Sequence, residues 1–375
     1  MKYYDIEKIM NDFPDCHYYM IVGERSNGKT YSALRYALKK YWENGEQFAY
    51  LRRWGEDIRK KEMTQLFAAH VENGEVIRLT KGLWDNVTVV GGRFYFSRIV
   101  EDEKKTGRVT TKIEQSEEPI GFSFDLNSME HYKSISYPKI TTVIFDEFIS
   151  RNGYLPNEFL LFTNTLSTII RQRNNVKIFM LGNTVNQYCP YFKEMGLTHI
   201  KDQKQGTIDL YHYGQSGLRI AVEYCESTKK SGGKKSDVYF AFDNPELQMI
   251  TEGSWEIAIY PHKPVNFKPK DIAFVFFIEF ENDIVQGEFV TVDSGPFIFF
   301  HSKTGEIKHP ESDIVYTTRP NERWNYKACI TKQSDTMSVT ICKFVRENRC
   351  FYATNEVGEI VRNYLMWSTN YSILN

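Results

Sequence analysis

The sequence predicts an α/β domain built around a buried sheet, followed by a smaller α+β domain, and three observations carry that expectation. Met1 to about His199 alternates strand-like and helix-like patterns, as one α/β domain does. Within it, the apolar run Tyr18-Tyr19-Met20-Ile21-Val22 leads into a glycine-bearing loop, Gly23 to Thr30, and then into an apolar-periodic stretch from Tyr31 to Tyr41. That order is strand, loop, helix. Beyond the Pro/Lys-rich segment Pro261 to Lys270, the pattern turns to short strands at 273–280, 288–292, 297–301 and 314–317, closed by a helix over 355–366.

The loop Gly23-Glu24-Arg25-Ser26-Asn27-Gly28-Lys29-Thr30 fits G-x-x-x-x-G-K-[ST], the Walker A pattern, in the strand–loop–helix setting that its mechanism needs. Glycines let the loop wrap closely around anionic oxygens, with backbone N–H groups and the positive end of the next helix facing them. Lys29 is expected to reach the β- and γ-phosphates of a nucleoside triphosphate, and Thr30 to hold Mg²⁺ through its hydroxyl. Arg25 either contacts phosphate, signals to a neighbour or faces solvent.

The run Thr141-Thr142-Val143-Ile144-Phe145 ends in two carboxylates, Asp146 and Glu147. Such a β-branched and aromatic run reads as a buried central strand, and ligands of open α/β sheets sit at the carboxyl ends of the strands. There Asp146 is expected to coordinate Mg²⁺ and Glu147 to polarise the attacking water, the Walker B roles. Between Lys29 and Asp146 the run Gln47-Phe48-Ala49-Tyr50-Leu51 reads as another strand. An intervening strand with a catalytic Glu after the metal Asp is the plan of additional-strand ATPases, among them ring translocases and helicases. It argues against small-molecule kinases. A further run, Val176 to Leu181, ends in Gly182-Asn183, and a strand beside the Asp146 strand aims Asn183 at the γ-phosphate. The alternative is an ordinary Asn turn.

At 375 residues two domains are expected, joined by a small connector: 1–200, a linker subdomain 201–255 and 256–375. In the connector, Ser227-Thr228-Lys229-Lys230-Ser231-Gly232-Gly233-Lys234-Lys235-Ser236 is poor in apolar residues and reads as a mobile loop. Residues 93–124 read as a long hairpin of mixed charge, a solvated insertion or else a finger that touches DNA or a partner. With Lys+Arg 47 and Asp+Glu 48 the net charge is −1, so a polyanion must be met by a local patch. No apolar run is long enough to span a membrane and no signal peptide opens the chain, so neither a membrane protein nor a secreted one is expected. Six cysteines without a C-x-x-C pair fit a reducing cytoplasm and no structural zinc.

Several segments occur together in one order: G-x-R-x-x-G-K-[ST]; Tyr50-Leu51-Arg52-Arg53; Lys133-Ser134-Ile135-Ser136-Tyr137-Pro138; V-I-F-D-E-F-I; Leu155-Pro156-Asn157-Glu158; Ile170-Arg171-Gln172-Arg173; and Leu181-Gly182-Asn183 followed by Asn186 and Cys189-Pro190-Tyr191-Phe192. Over roughly residues 15 to 195 this set closely resembles the DNA-packaging ATPases of small tailed bacteriophages whose motors use a prohead RNA. Beyond it the resemblance rests on layout, and two stretches are longer than in relatives: the hairpin around Glu101 to Lys112 and the Lys/Gly loop near Gly232.

The resemblance implies an additional-strand (ASCE, FtsK–HerA-like) ATPase domain, a small linker, and a C-terminal RNase H-like domain related to terminase nucleases but without their active site. It implies ATP and Mg²⁺ as cofactors. The partners would be double-stranded viral DNA, the prohead RNA, the portal or connector of the prohead, and further copies of the chain in a homopentameric ring. The place of action would be the host cytoplasm, transiently at the portal vertex. Arg171 matches the position of a cation that enters the neighbour's site in trans, and Lys133 is a second trans candidate. Read structurally instead, Arg171 and Arg173 are helix-end cations that oppose the dipole. In the C-terminal domain the carboxylates Glu279, Glu281 and Asp293 read as solvent-facing strand residues, so nuclease activity is not expected, and basic residues such as Lys263, Lys268, Lys270 and Lys327 suit RNA or portal contact. A P-loop helicase and a nucleotide-binding portal adaptor remain as alternatives.

Overall fold

The computed structural model describes residues 4–103, 109–128, 135–150, 154–155, 157–185, 187, 189–226, 255, 260–281, 283–318 and 321–370. Lys133, Pro156, Asn186, the hairpin tip 104–108 and the Lys/Gly loop 227–236 lie outside the described residues. The chain divides into two compact units, one of 1–150, 157–187 and 194–255, the other of 151–156, 188–193 and 256–375.

The first unit opens with α1 (Ile6–Asp12), β1 (Tyr18–Gly23), α2 (Lys29–Asn44) and β2 (Gln47–Arg52), and continues through short helices α3 (Lys60–Gln65), α4 (Ala68–Glu72) and α5 (Glu75–Leu79). Then come β3 (Asn86–Val90), β4 (Arg93–Glu103), β5 (Val109–Gln115), β6 (Gly121–Asp125), β7 (Ile140–Asp146), α6 (Glu158–Ile170), β8 (Lys177–Asn183), β9 (Thr207–Tyr213) and β10 (Leu218–Tyr224). They form a ten-stranded sheet in the order β3-β4-β6-β2-β7-β8-β1-β10-β9, with β5 paired to β4. From β6 to β10 the neighbours are parallel. Strands flanked in this way are covered on both faces, which is why β1 and β7 are buried almost throughout rather than at alternate residues. Helix α2 buries Ala33, Leu34, Ala37 and Leu38 in the core of this unit, a stripe at helical spacing. It stops at Gly45, whose left-handed backbone (φ 71°) lets its N–H return to Tyr41 O at 2.8 Å.

Two expectations change here. The strand inserted between the β1 and β7 strands is β8, not β2, which lies on the outer side of β7. Chain order could not show this, because β8 follows both carboxylates in sequence. The stretch from Lys201 was expected to be a linker, yet β10 pairs parallel to β1 and β9 pairs antiparallel to β10. The apolar pattern is weak because, among the described residues, β9 is the last strand of the sheet, and Leu210 on it is exposed. The charged hairpin is β4–β5, whose exposed cross-strand pair is Ile99 and Ile113, and the base of β4 is fixed to β3 and β6.

In the second unit, α7 (Pro190–Glu194) starts at a proline, and β11 (Ile272–Phe280), β12 (Asp283–Val292) and β13 (Gly295–Ser302) form an antiparallel meander. Strand β14 (Val315–Thr317) pairs parallel to β11, β15 (Tyr326–Ala328) parallel to β14, and β16 (Cys350–Tyr352) parallel to β13. Helices α8 (Thr336–Arg346) and α9 (Asn355–Asn370) contribute Ile341, Phe344, Val357, Val361 and Tyr364 to a core shared with Phe276, Phe300 and Tyr316. Among the described residues no helix is long and apolar enough to cross a membrane.

Candidate active site

Strands β2, β7, β8 and β1 are neighbours, so their carboxyl ends lie in one row and bring Arg52, Asp146, Asn183 and Gly23 to one edge of the sheet. Gly23 must be glycine, because a Cβ there would stand 2.8 Å from Cys225 Cβ. The loop then turns through left-handed backbone at Ser26 (φ 60°) and Gly28 (φ 93°), a conformation that curls successive N–H groups around an anion. Helix α2 begins at Lys29, and its positive end faces the same concavity. Lys29 Nζ donates to Glu24 O (2.8 Å), Asn27 Oδ1 (3.1 Å) and Asn183 Oδ1 (3.4 Å). The expected sensor Asn183 is thus in contact with the loop lysine, whereas Arg25 is exposed.

On the other side of the helix start, Thr30 Oγ1 donates to both oxygens of Asp146 (3.1 and 3.0 Å) and Tyr50 Oη donates to Asp146 Oδ2 (3.0 Å). Burial pushes the Asp146 pKa up, opposed by Arg52 and by the Tyr50 and Thr30 hydrogen bonds, and pushes the Lys29 pKa down. Both shifts mean that each charge lacks the solvation or counter-charge it would have in water. A polyphosphate would supply it for Lys29, and a hard divalent cation for Asp146. Two adjacent oxygen donors, a hydroxyl and a carboxylate, are a suitable set for Mg²⁺. The residues therefore fit Mg²⁺ and a nucleotide.

Glu147 leaves β7 in left-handed backbone (φ 56°), uncommon for a residue with a Cβ, and its side chain is 58% exposed. Arg52 Nη2 lies 2.8 Å from Glu147 Oε2 and 3.3 Å from Asp57 Oδ2. The next residue, Arg53, is buried and bound to Glu158, at the start of α6. Sequence reasoning assigned Tyr50, Arg52 and Arg53 no role, although Tyr-x-Arg at a strand end, with period-two spacing, puts Tyr50 and Arg52 on one face.

Arg171 follows the last residue of α6, is exposed, and donates from Nη2 to Ile135 O at 3.1 Å. The 13-residue helix sets it about 20 Å along the axis from Glu158. It therefore stands away from the Glu147 turn of its own subunit. Arg173 is the helix-end cation: its guanidinium donates to the carbonyls of Ile169, Ile170, Tyr137, Pro138 and Ile140.

This fold and site define a P-loop protein of the additional-strand class, with the strand that carries Asn183 lying between the phosphate-loop strand and the acidic strand. The profile of the Podovirus DNA encapsidation protein (Gp16) family matches residues 2–339, and the chain belongs to that family. The DNA packaging protein of Bacillus phage phi29 is 28% identical over 284 residues, 73% of this chain and 72% of that protein. That of Bacillus phage B103 is 29% identical over 185 residues, 47% of each. Among solved structures, a chain of the bacteriophage Phi-29 viral genome packaging motor assembly matches with TM-score 0.54 and 20% identity over 96% of each chain. The Phi-28 gp11 DNA packaging motor matches with TM-score 0.52 and 18% identity over 100% of this chain and 99% of that one. These two likenesses extend over both units of the fold.

Proposed function

We propose that this protein is an ATP-driven motor that moves double-stranded viral DNA into a preformed prohead. The observation that carries the reading is the cluster of Lys29, Thr30, Asp146 and Asn183 at adjacent strand ends, with Glu147 beside it, in a chain of a DNA encapsidation family. Bound Mg²⁺ would neutralise charge on the phosphates. The chain's own share is to cradle the phosphates with the Gly23–Thr30 backbone, to hold the γ-phosphate with Lys29 and Asn183, and to orient water with Glu147. In this structure Glu147 is held by Arg52, and on this reading that pair opens to release it to the water.

Hydrolysis takes place between subunits of a homopentameric ring at the portal vertex, in the host cytoplasm, with the prohead RNA and the portal as partners. The trans role for Arg171 is supported by its exposure and by its lying about 20 Å along the helix from Glu158 of the same chain. Such a trans arginine is worth about 10³–10⁵ in rate. Lys133 remains a second trans candidate on the strength of the resemblance. The second unit is read as an RNase H-like domain, a reading supported by the five strands β15-β14-β11-β12-β13, an antiparallel meander with two parallel strands beside its first strand, to which β16 adds a sixth strand parallel to β13. Its nuclease is vestigial on this reading. Glu279 and Glu281 lie near the start of the ten-residue β12 and Asp293 just past its end, about 30 Å away, too far to share metal ions.

A strand-displacement assay against duplex translocation tests the reading. The motor moves along duplex without unwinding it, and its ATP turnover requires Glu147. Unwinding would favour a helicase, and nucleotide binding with no turnover a portal adaptor.

A further inference from the structure

Arg53 is 6% exposed and Glu158 fully buried, and they meet in a two-pronged pair: Nε to Oε2 at 2.7 Å and Nη2 to Oε1 at 2.9 Å. The same guanidinium donates from Nη1 to Glu147 O (3.2 Å) and from Nη2 to Phe148 O (2.7 Å). It therefore grips the main chain of the turn that presents the Glu147 carboxylate, while its neighbour Arg52 takes the side chain. The far side of the turn is fixed as well. Phe148 N–H donates to Leu181 O, and Phe148 and Ile149 pack so closely on Gly182 that a Cβ there would stand 2.9 Å from each of them.

A buried ion pair is a poor way to gain stability, since desolvation offsets most of the attraction and apolar residues of similar volume often serve as well. The arrangement makes sense if geometry is what the pair provides. A planar guanidinium holds a carboxylate and two successive carbonyls at fixed angles, which a lysine cannot do. The turn it holds needs such support, because Glu147 sits in left-handed backbone that a residue with a Cβ adopts only when its surroundings impose it.

We propose that Arg53 and Glu158 are positioning residues for hydrolysis: together they clamp the turn after β7 and set the direction of the Glu147 carboxylate. The proposal rests on Glu147 being the water-orienting base. A misplacement of such a group by about 1 Å costs about 100-fold in rate, so the clamp acts on kcat and leaves nucleotide binding, made by the loop at β1, unchanged.

The test is the full-length Arg53→Met/Glu158→Leu double variant, which removes the clamp without leaving an unpaired buried charge. It is compared with wild type and Glu147→Gln by thermal melting, binding of a fluorescent non-hydrolysable ATP analogue, and steady-state ATP turnover. The expected result is a cooperative melt, affinity within about threefold of wild type, and kcat lowered about 100-fold. A folded double variant with wild-type kcat overturns the clamp. Should the double variant not fold, Arg53→Lys decides: it retains the charge but not the fork, so kcat should fall at least about tenfold with KM unchanged, and an undiminished kcat overturns the proposal. A wild type that turns over no ATP overturns the reading of the site, and the clamp with it; an active wild type beside an equally active double variant overturns the clamp alone.

Discussion

Replacing Tyr50 by Phe removes one oxygen and leaves the ring in place. That oxygen donates to Asp146 Oδ2 at 3.0 Å, inside a site where burial already works against the carboxylate. A hydrogen bond to a charged group contributes about 1.5–3 kcal/mol, which at 1.4 kcal/mol per tenfold is roughly 10- to 150-fold in an equilibrium constant. Outer-shell partners of metal ligands have similar effects, about 10- to 100-fold in metal affinity. The hydroxyl bonds the carboxylate assigned to the metal, whereas Lys29 ties the phosphate loop together, so the loss should fall on the metal. Binding of a fluorescent ATP analogue is measured against Mg²⁺ concentration, together with thermal melting. Tyr50→Phe should shift half-saturation to about 10- to 100-fold higher Mg²⁺ and leave metal-free nucleotide binding as it was. An unchanged Mg²⁺ dependence in a folded variant would refute the role given to Tyr50 and weaken that of Asp146.

Other substitutions separate the remaining roles. Lys29→Ala should abolish nucleotide binding or turnover, whereas Glu147→Gln should bind and trap ATP with turnover lowered at least about 100-fold, as measured by filter binding and phosphate release. Arg171→Ala subunits, inactive alone, should regain partial turnover when mixed with Glu147→Gln subunits, because a mixed interface can pair an intact base with an intact arginine; no rescue in rings shown to be mixed would place both groups in one subunit's site. For Asp146→Asn the sign follows from burial. The folded pKa of Asp146 is raised, so its unfavourable contribution is complete above that pKa and is relieved as pH falls through it. Without nucleotide, Asp146→Asn should therefore melt higher than wild type at neutral pH, with a gap that narrows on acidification, although it turns over no ATP.

The parts of the site that lie close in sequence were legible, because a phosphate loop and a strand ending in two acids each carry their mechanism in local spacing. For Asn183 the sequence left an ordinary turn open, and the contact with Lys29 is what brings it to the phosphate loop. The side chains that support these groups were not. Tyr50, Arg53 and Glu158 act through contacts between residues about a hundred positions apart, and which strand lies between β1 and β7 depends on pairing that no local pattern records. In the second unit the longer strands and the closing helix were visible. The three-residue strands β14–β16 offer too few residues for a period to register, so only the first was foreseen, and α8 passed unnoticed despite Asp335, whose side chain caps it at Ser338 N. Read as helix-end cations, Arg171 and Arg173 could not be told apart in the sequence, and only the carbonyls around Arg173 show that it closes the helix while Arg171 is exposed.

The most direct measurement supplies the full-length chain to empty proheads carrying their RNA, with genome-length duplex and ATP, and follows DNA that becomes resistant to nuclease. Wild type should protect duplex progressively while hydrolysing ATP, and Glu147→Gln should protect none although it binds both nucleotide and prohead. Protection by Glu147→Gln at the wild-type rate, or ATP turnover by wild type that never brings duplex into the prohead, would contradict a packaging motor driven from this site.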